Sequence, residues 1–108
     1  MYCNWMDHNY QVYVSLVVDQ LEKGSVVKII ALGTSMEPAI KDSQELLISP
    51  SVENIKVGDI VFVKMSEHNR FIHRVCFIYD DFYILKGDNA DNEDYPVHKS
   101  EIIGTVLL

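Results

Sequence analysis

A mainly β fold in a single domain is the architecture this sequence predicts, and three observations carry it. After Gly24 the chain breaks into short runs rich in β-branched and aromatic residues, each bounded by Gly, Pro, Asn, Asp or Ser. Only one stretch, ahead of Gly24, carries a helical period. The 108 residues fit one compact core with little room for a second. The expected organisation is a helical N-terminal segment over residues 1–24 followed by a β-rich part over 25–108, without internal repeat, low-complexity tract or linker.

The helical stretch comes first. Its apolar residues fall at Tyr10, Tyr13, Val14, Val17, Val18 and Leu21, the spacing of an amphipathic helix, and Gly24 stands where a C-terminal cap belongs. This stripe predicts a helix packed on the domain. Docking on a partner or membrane surface is the alternative, although the polar face (Gln11, Asp19, Gln20, Glu22) lacks the basic residues that favour anionic lipid. Six strands follow, over Val26–Leu32, Glu45–Ile48, Asp59–Lys64, Phe71–Tyr79, Phe82–Leu85 and Ile102–Leu108. Asp80-Asp81, between two aromatic-rich runs, reads as a tight hairpin turn. That turn sets the His73 strand beside the strand leading to Asp88.

Composition narrows the function. A hydrophobic fraction of 48% and a charged fraction of 23% are those of a chain that folds. The net charge is −7, and the nine Lys and Arg residues are scattered rather than striped, which argues against a nucleic-acid partner. Cys3 and Cys76 have no metal-site or disulfide spacing and read as free thiols of a reducing compartment. No run reaches the roughly 18 apolar residues of a membrane span, and the beginning of the sequence lacks the basic and apolar regions of a secretory signal. The expectation is a cytoplasmic protein without metal, cofactor or integral membrane span.

The chemistry concentrates in three segments. Ser35 lies in Gly33-Thr34-Ser35-Met36-Glu37-Pro38, and His73 lies in Phe71-Ile72-His73-Arg74-Val75. Lys86-Gly87-Asp88-Asn89 runs on to Asp94. A serine hydroxyl is a weak nucleophile until a base takes its proton, and an imidazole on a separate strand is the usual supplier. A carboxylate can then hold the imidazole in one tautomer. Asp88 and Asp94 are the two candidates, with Asp91 and Glu93 close by, and a solvated acidic loop is the plain alternative for all four. By the same standard Ser35 fits a structural turn and His73 a satisfied strand histidine. His8, His68 and His98 have no such context and are expected at the surface.

Four blocks weigh the balance towards chemistry. Gly33-Thr34-Ser35-Met36-Glu37-Pro38-Ala39-Ile40, Val57-Gly58-Asp59-Ile60-Val61, Ile72-His73-Arg74-Val75 and Lys86-Gly87-Asp88-Asn89 come in order, followed by Ile103-Gly104-Thr105-Val106. In these blocks and their spacing the chain resembles the S24/S26 serine peptidases, the group of the signal peptidases and the LexA-type self-cleaving repressors. The resemblance implies a mostly β peptidase fold in which Ser35 attacks a peptide carbonyl. Many members use lysine as the base. The matching place here is His73, as in the endoplasmic-reticulum and archaeal signal peptidases, which likewise pair Ser-Met-Glu-Pro with His-Arg-Val. A lysine must be strongly desolvated to act near neutral pH, whereas an imidazole needs orientation, so a carboxylate gains value. The resemblance favours Asp94, where those enzymes place a functional aspartate, over Asp88.

Around the nucleophile the resemblance implies an oxyanion donor at the Ser35 N–H. Many signal peptidases carry a serine two residues earlier as a second donor. Gly33 stands there instead, as in the repressors, and is expected to permit a tight turn. Met36 and Pro38 are expected to shape the pocket wall and the turn, with Thr34 between them and Gly33. The repressors cut an internal Ala-Gly bond, which this sequence lacks: its alanines precede Leu32, Ile40 and Asp91. The function expected is therefore a soluble endopeptidase cleaving a peptide or protein substrate in trans, such as the leader of a ribosomally made peptide. Two alternatives stand beside it: a non-catalytic module that keeps the fold and holds an extended peptide, and a signal-peptidase-like enzyme recruited to the membrane by a peripheral partner.

Overall fold

The computed structural model describes residues 15–31, 33–64, 70–92 and 96–107. Helix α1 covers residues 15–22 of these and ends as the sequence predicts. Gly24 takes φ 91°, its N–H reaches the Leu21 carbonyl at 2.9 Å, and the Ser25 N–H reaches the Gln20 carbonyl at 3.0 Å. This is the doubly bonded glycine stop that only a residue without Cβ adopts cheaply. Val17, Val18 and Leu21 turn inwards and are buried, so the apolar stripe packs on the domain. Tyr10, Tyr13 and Val14, the upstream part of that stripe, lie outside the described residues.

Among the described residues seven strands make one antiparallel sheet: β1 Val27–Ile30, β2 Glu45–Ser49, β3 Ile60–Lys64, β4 Arg70–Tyr79, β5 Phe82–Lys86, β6 Val97–His98 and β7 Ile102–Leu107. Their spatial order is β1-β2-β7-β3-β4-β5-β6, so the last strand returns to lie between β2 and β3. The mainly β fold with one N-terminal helix is the architecture expected, and six of the strands fall where the short β-rich runs placed them. The seventh, β6, and the short 3-10 turn Lys99–Glu101 behind it were not foreseen. His98 is the reason for that turn. Its ring accepts the Ser100 N–H at 3.1 Å, its own N–H donates to Glu101 at 3.0 Å, and its edge packs against the Phe82 ring. It is a half-buried cap rather than the surface histidine expected.

Strand β3 explains where the core sits. Its first four residues, Ile60, Val61, Phe62 and Val63, are all buried, and Lys64 at its end is exposed. Ile60 and Phe62 join α1, β1 and β2 in one apolar cluster with Val17, Leu21, Ile29, Met36, Leu46 and Ile48. Val61 and Val63 join Val75, Leu85, Val97 and Ile102 in the other. Since side chains alternate along a strand, a continuous apolar run marks a strand covered on both faces. Among the described residues no helix is long and apolar enough to cross a membrane.

Candidate active site

The β4–β5 hairpin fixes the position of the base. The two strands are joined by the two-residue loop Asp80-Asp81, with Asp80 at φ 54°, and pair Tyr79 with Phe82. Followed back along the strands, the ladder sets Arg74 opposite Lys86. It absorbs one irregularity on the way, between Val75 and Phe77, where Cys76 turns out and its thiol meets the Ile84 carbonyl. On the other side of β4, His73 faces Val61 and Arg74 faces Ile60. Strand β5 therefore delivers residues 87–89 at the level of His73.

Ser35 arrives from a turn that follows β1. Gly33 takes φ 98°, a conformation strained for any residue with a Cβ, and its N–H donates to Asp42 at 2.8 Å. Hydrogen bonds from Glu37 N–H to the Thr34 carbonyl (3.1 Å) and from Ile40 N–H to the Met36 carbonyl (2.9 Å) then fold residues 34–40 on themselves. Met36 points inwards and is buried, anchoring the turn to the first cluster, while Ser35 beside it is exposed. Pro38 follows the cis Glu37–Pro38 bond on the exposed side of the turn. Met36 thus packs in the core, where a part in the pocket wall was expected, and Gly33 has the turn role expected of it.

The two elements meet at the expected pair. His73 Nε2 lies 3.2 Å from Ser35 Oγ. That is within reach of a proton transfer, and in the tautomer with its proton on Nδ1 the ring accepts from the serine hydroxyl. The Ser35 N–H donates to no acceptor among the described residues.

Residues 87–89 bind the pair from beneath. Gly87 is buried, and a Cβ on it would lie 2.7 Å from the Ser35 carbonyl oxygen and 3.3 Å from both His73 Nε2 and Ser35 Cβ. Only glycine lets the backbone pass this close. The Asn89 N–H donates to the Ser35 carbonyl at 2.8 Å, and its side-chain amide donates to the Thr34 carbonyl at 3.1 Å. The Asp88 N–H points at the Met36 sulfur, 3.4 Å away.

The structure gives the Asp88 carboxylate to a different partner from the one expected. Arg74 Nε donates to Oδ1 at 2.9 Å and Nη2 to Oδ2 at 2.8 Å, while Nη1 donates to the Gly58 carbonyl at 2.8 Å. A planar guanidinium fork matches the two carboxylate oxygens, which is why the arginine next to His73 captures the acid. These hydrogen bonds, reinforced by the charges of Arg74, Lys86 and His73, hold the Asp88 carboxyl below the usual carboxylate range against the opposing effect of burial. The same bonds raise Arg74 above its ordinary value. Asp88 and His73 are thus coupled by charge, with the hydrogen bonds of Asp88 spent on Arg74. Asp94 and Glu93 lie outside the described residues.

Sequence reasoning placed Ser35, His73, Gly33 and Met36. It missed the work of Arg74, Gly87, Asn89 and Asp42. The signal for Arg74 was present as the residue following the histidine, but its direction depends on β4 pairing on both sides.

No curated protein sequence matches the chain at a significant level. Residues 4–107 match the sequence model of the Peptidase S24-like family. With that match running nearly end to end over a mainly β fold, the chain belongs to the Peptidase S24-like family.

Proposed function

We propose that this protein is a serine endopeptidase that cuts a peptide in trans, with Ser35 as nucleophile and His73 as general base. One observation carries the reading: the 3.2 Å contact between Ser35 Oγ and His73 Nε2, made by an exposed serine on a glycine-started turn. Membership of a peptidase family supports it from outside the geometry.

In the reaction Ser35 Oγ attacks the carbonyl carbon of the scissile bond as its proton passes to His73 Nε2. The Ser35 N–H receives the developing oxyanion. His73 then returns the proton to the leaving amine, the C–N bond breaks, and an acyl-enzyme forms on Ser35. A water, deprotonated by His73, releases the acid product and restores the serine. Asp94 is the residue proposed to orient the imidazole, on the strength of the resemblance to the histidine-containing signal peptidases. The substrate class proposed is the leader of a ribosomally made peptide, in keeping with a nucleophile exposed to an incoming chain.

The test is cleavage of candidate leader peptides followed by mass spectrometry, with Ser35→Ala beside the unaltered protein. The reading expects products from the unaltered protein alone; equal cleavage by both would overturn it.

A further inference from the structure

The contact between Ser35 and His73 joins two elements far apart in sequence, and neither side chain is fully enclosed. Something must hold their separation. The backbone that touches both is residues 87–89, through Gly87 against Ser35 and His73 and through Asn89 on the Ser35 and Thr34 carbonyls. The strongest bond on that segment is the two-pronged one from Arg74 to Asp88. Arg74 adds a third prong to the Gly58 carbonyl, in a turn already tied to β4 by Gly58 N–H to the Val75 carbonyl (2.8 Å) and Val75 N–H to the Asp59 carbonyl (2.8 Å). One guanidinium therefore links the Gly58 turn, the strand carrying the base and the segment beneath the nucleophile.

We propose that Arg74 and Asp88 are a positioning pair, clamping residues 87–89 against the Ser35 turn and so setting the reach of Ser35 to His73. The inference rests on the peptidase reading for its catalytic consequence, but the clamp itself is a statement about backbone contacts. It separates two roles for Asp88. As a direct electrostatic partner of His73, Asp88 would act through its charge alone. As half of a clamp it needs the fork of Arg74, and a lysine in place of that arginine keeps the charge while losing the geometry. Of the other charges that act on Asp88, Lys86 and His73 are untouched in such a variant, and position 74 keeps its positive charge.

Two measurements on Arg74→Lys, Asp88→Asn and the double variant decide it. The first is amide hydrogen exchange at Asn89, whose N–H bonds to the Ser35 carbonyl, with the Val61 amide on the core strand as the fold control. The clamp predicts that Asn89 exchanges roughly 10-fold faster or more in each single variant while Val61 is unmoved. The double variant should exchange no faster than the faster single one. The second is peptide cleavage. A slackened geometry predicts kcat lower by about 10- to 100-fold in Arg74→Lys, with KM and the position of the acid limb of the pH–rate profile held. Lys23→Ala, which removes only the exposed ion pair with Asp19, should alter neither measurement.

Unaltered Asn89 exchange in both single variants overturns the clamp. So does a full kcat in Arg74→Lys beside an acid limb displaced in Asp88→Asn, which makes Asp88 a direct electrostatic partner of the base. Should the unaltered protein cleave nothing, the peptidase reading fails, and Asn89 exchange still decides the clamp. Should Arg74→Lys fail to fold, Asp88→Asn, nearly the same in shape, carries both measurements.

Discussion

Gly87 shows how tightly single residues are specified at the site. A methyl group there meets the Ser35 carbonyl oxygen at 2.7 Å, and that oxygen is backbone, so the turn itself must move. Gly87→Ala is expected to lower kcat by about 100-fold, since displacing a reacting group by an ångström costs that much. Steady-state kinetics on the folded variant checks this. Asp88 makes a second prediction, concerning stability. Its folded-state pKa is lowered, so the folded protein binds that proton less readily than the unfolded chain does. The contribution is therefore present above the ordinary carboxylate range and is lost as pH falls through about 4 and below. Arg74 stays charged throughout and adds no slope of its own in that window. Thermal melts should show Asp88→Asn less stable than the parent from about pH 5 upwards, with the gap closing towards pH 3. A gap independent of pH would contradict the ion pair. Ser35 and His73 were legible because their neighbours spell recurring blocks. The Arg74–Asp88 bond was not, since an acid near a base in sequence invites direct pairing, and the guanidinium intervenes only once the hairpin register is known.

The β4–β5 hairpin is the element on which the site depends. Its register follows from the Asp80-Asp81 loop, and Asp80 holds φ 54°, a conformation that aspartate tolerates and β-branched residues resist. Asp80→Val is expected to cost about 1–2 kcal/mol, and Asp80→Gly to keep the turn; urea denaturation measures both. This hairpin could be read from Asp80-Asp81 between two aromatic-rich runs, as could α1 from its stripe and Gly24. Strand β6 could not. Two residues, Val97 and His98, carry no period, and what defines them is pairing with Tyr83 and Phe82 together with the His98 cap. Those causes lie across space rather than along the chain.

At the scale of the molecule, the sheet is covered on both faces along β3, and the closing strand β7 lies between β2 and β3. The run Asp59–Lys64 was legible as a strand, but nothing local told that the last strand would insert beside it. Gly104 on β7 marks the fit. A Cβ there would lie 2.5 Å from Ile48 Cγ2, 2.9 Å from the Ser49 carbonyl oxygen and 3.6 Å from Leu21 Cδ1. Gly104→Ala is expected to destabilise the fold by about 1–3 kcal/mol by overpacking, while the folded fraction keeps its kcat, the reverse of Gly87→Ala. Leu85→Ala, at a site with 0% exposure, should cost about 2–5 kcal/mol in the second cluster. The central claim is chemical: His73 makes Ser35 a nucleophile. Reaction with a fluorophosphonate probe, located by peptide mass spectrometry and timed in the parent and in His73→Ala, tests it most directly. The account predicts an adduct on Ser35 that forms at least about 100-fold more slowly without the imidazole. An adduct elsewhere, none at all, or one formed at equal rates in both proteins would contradict it.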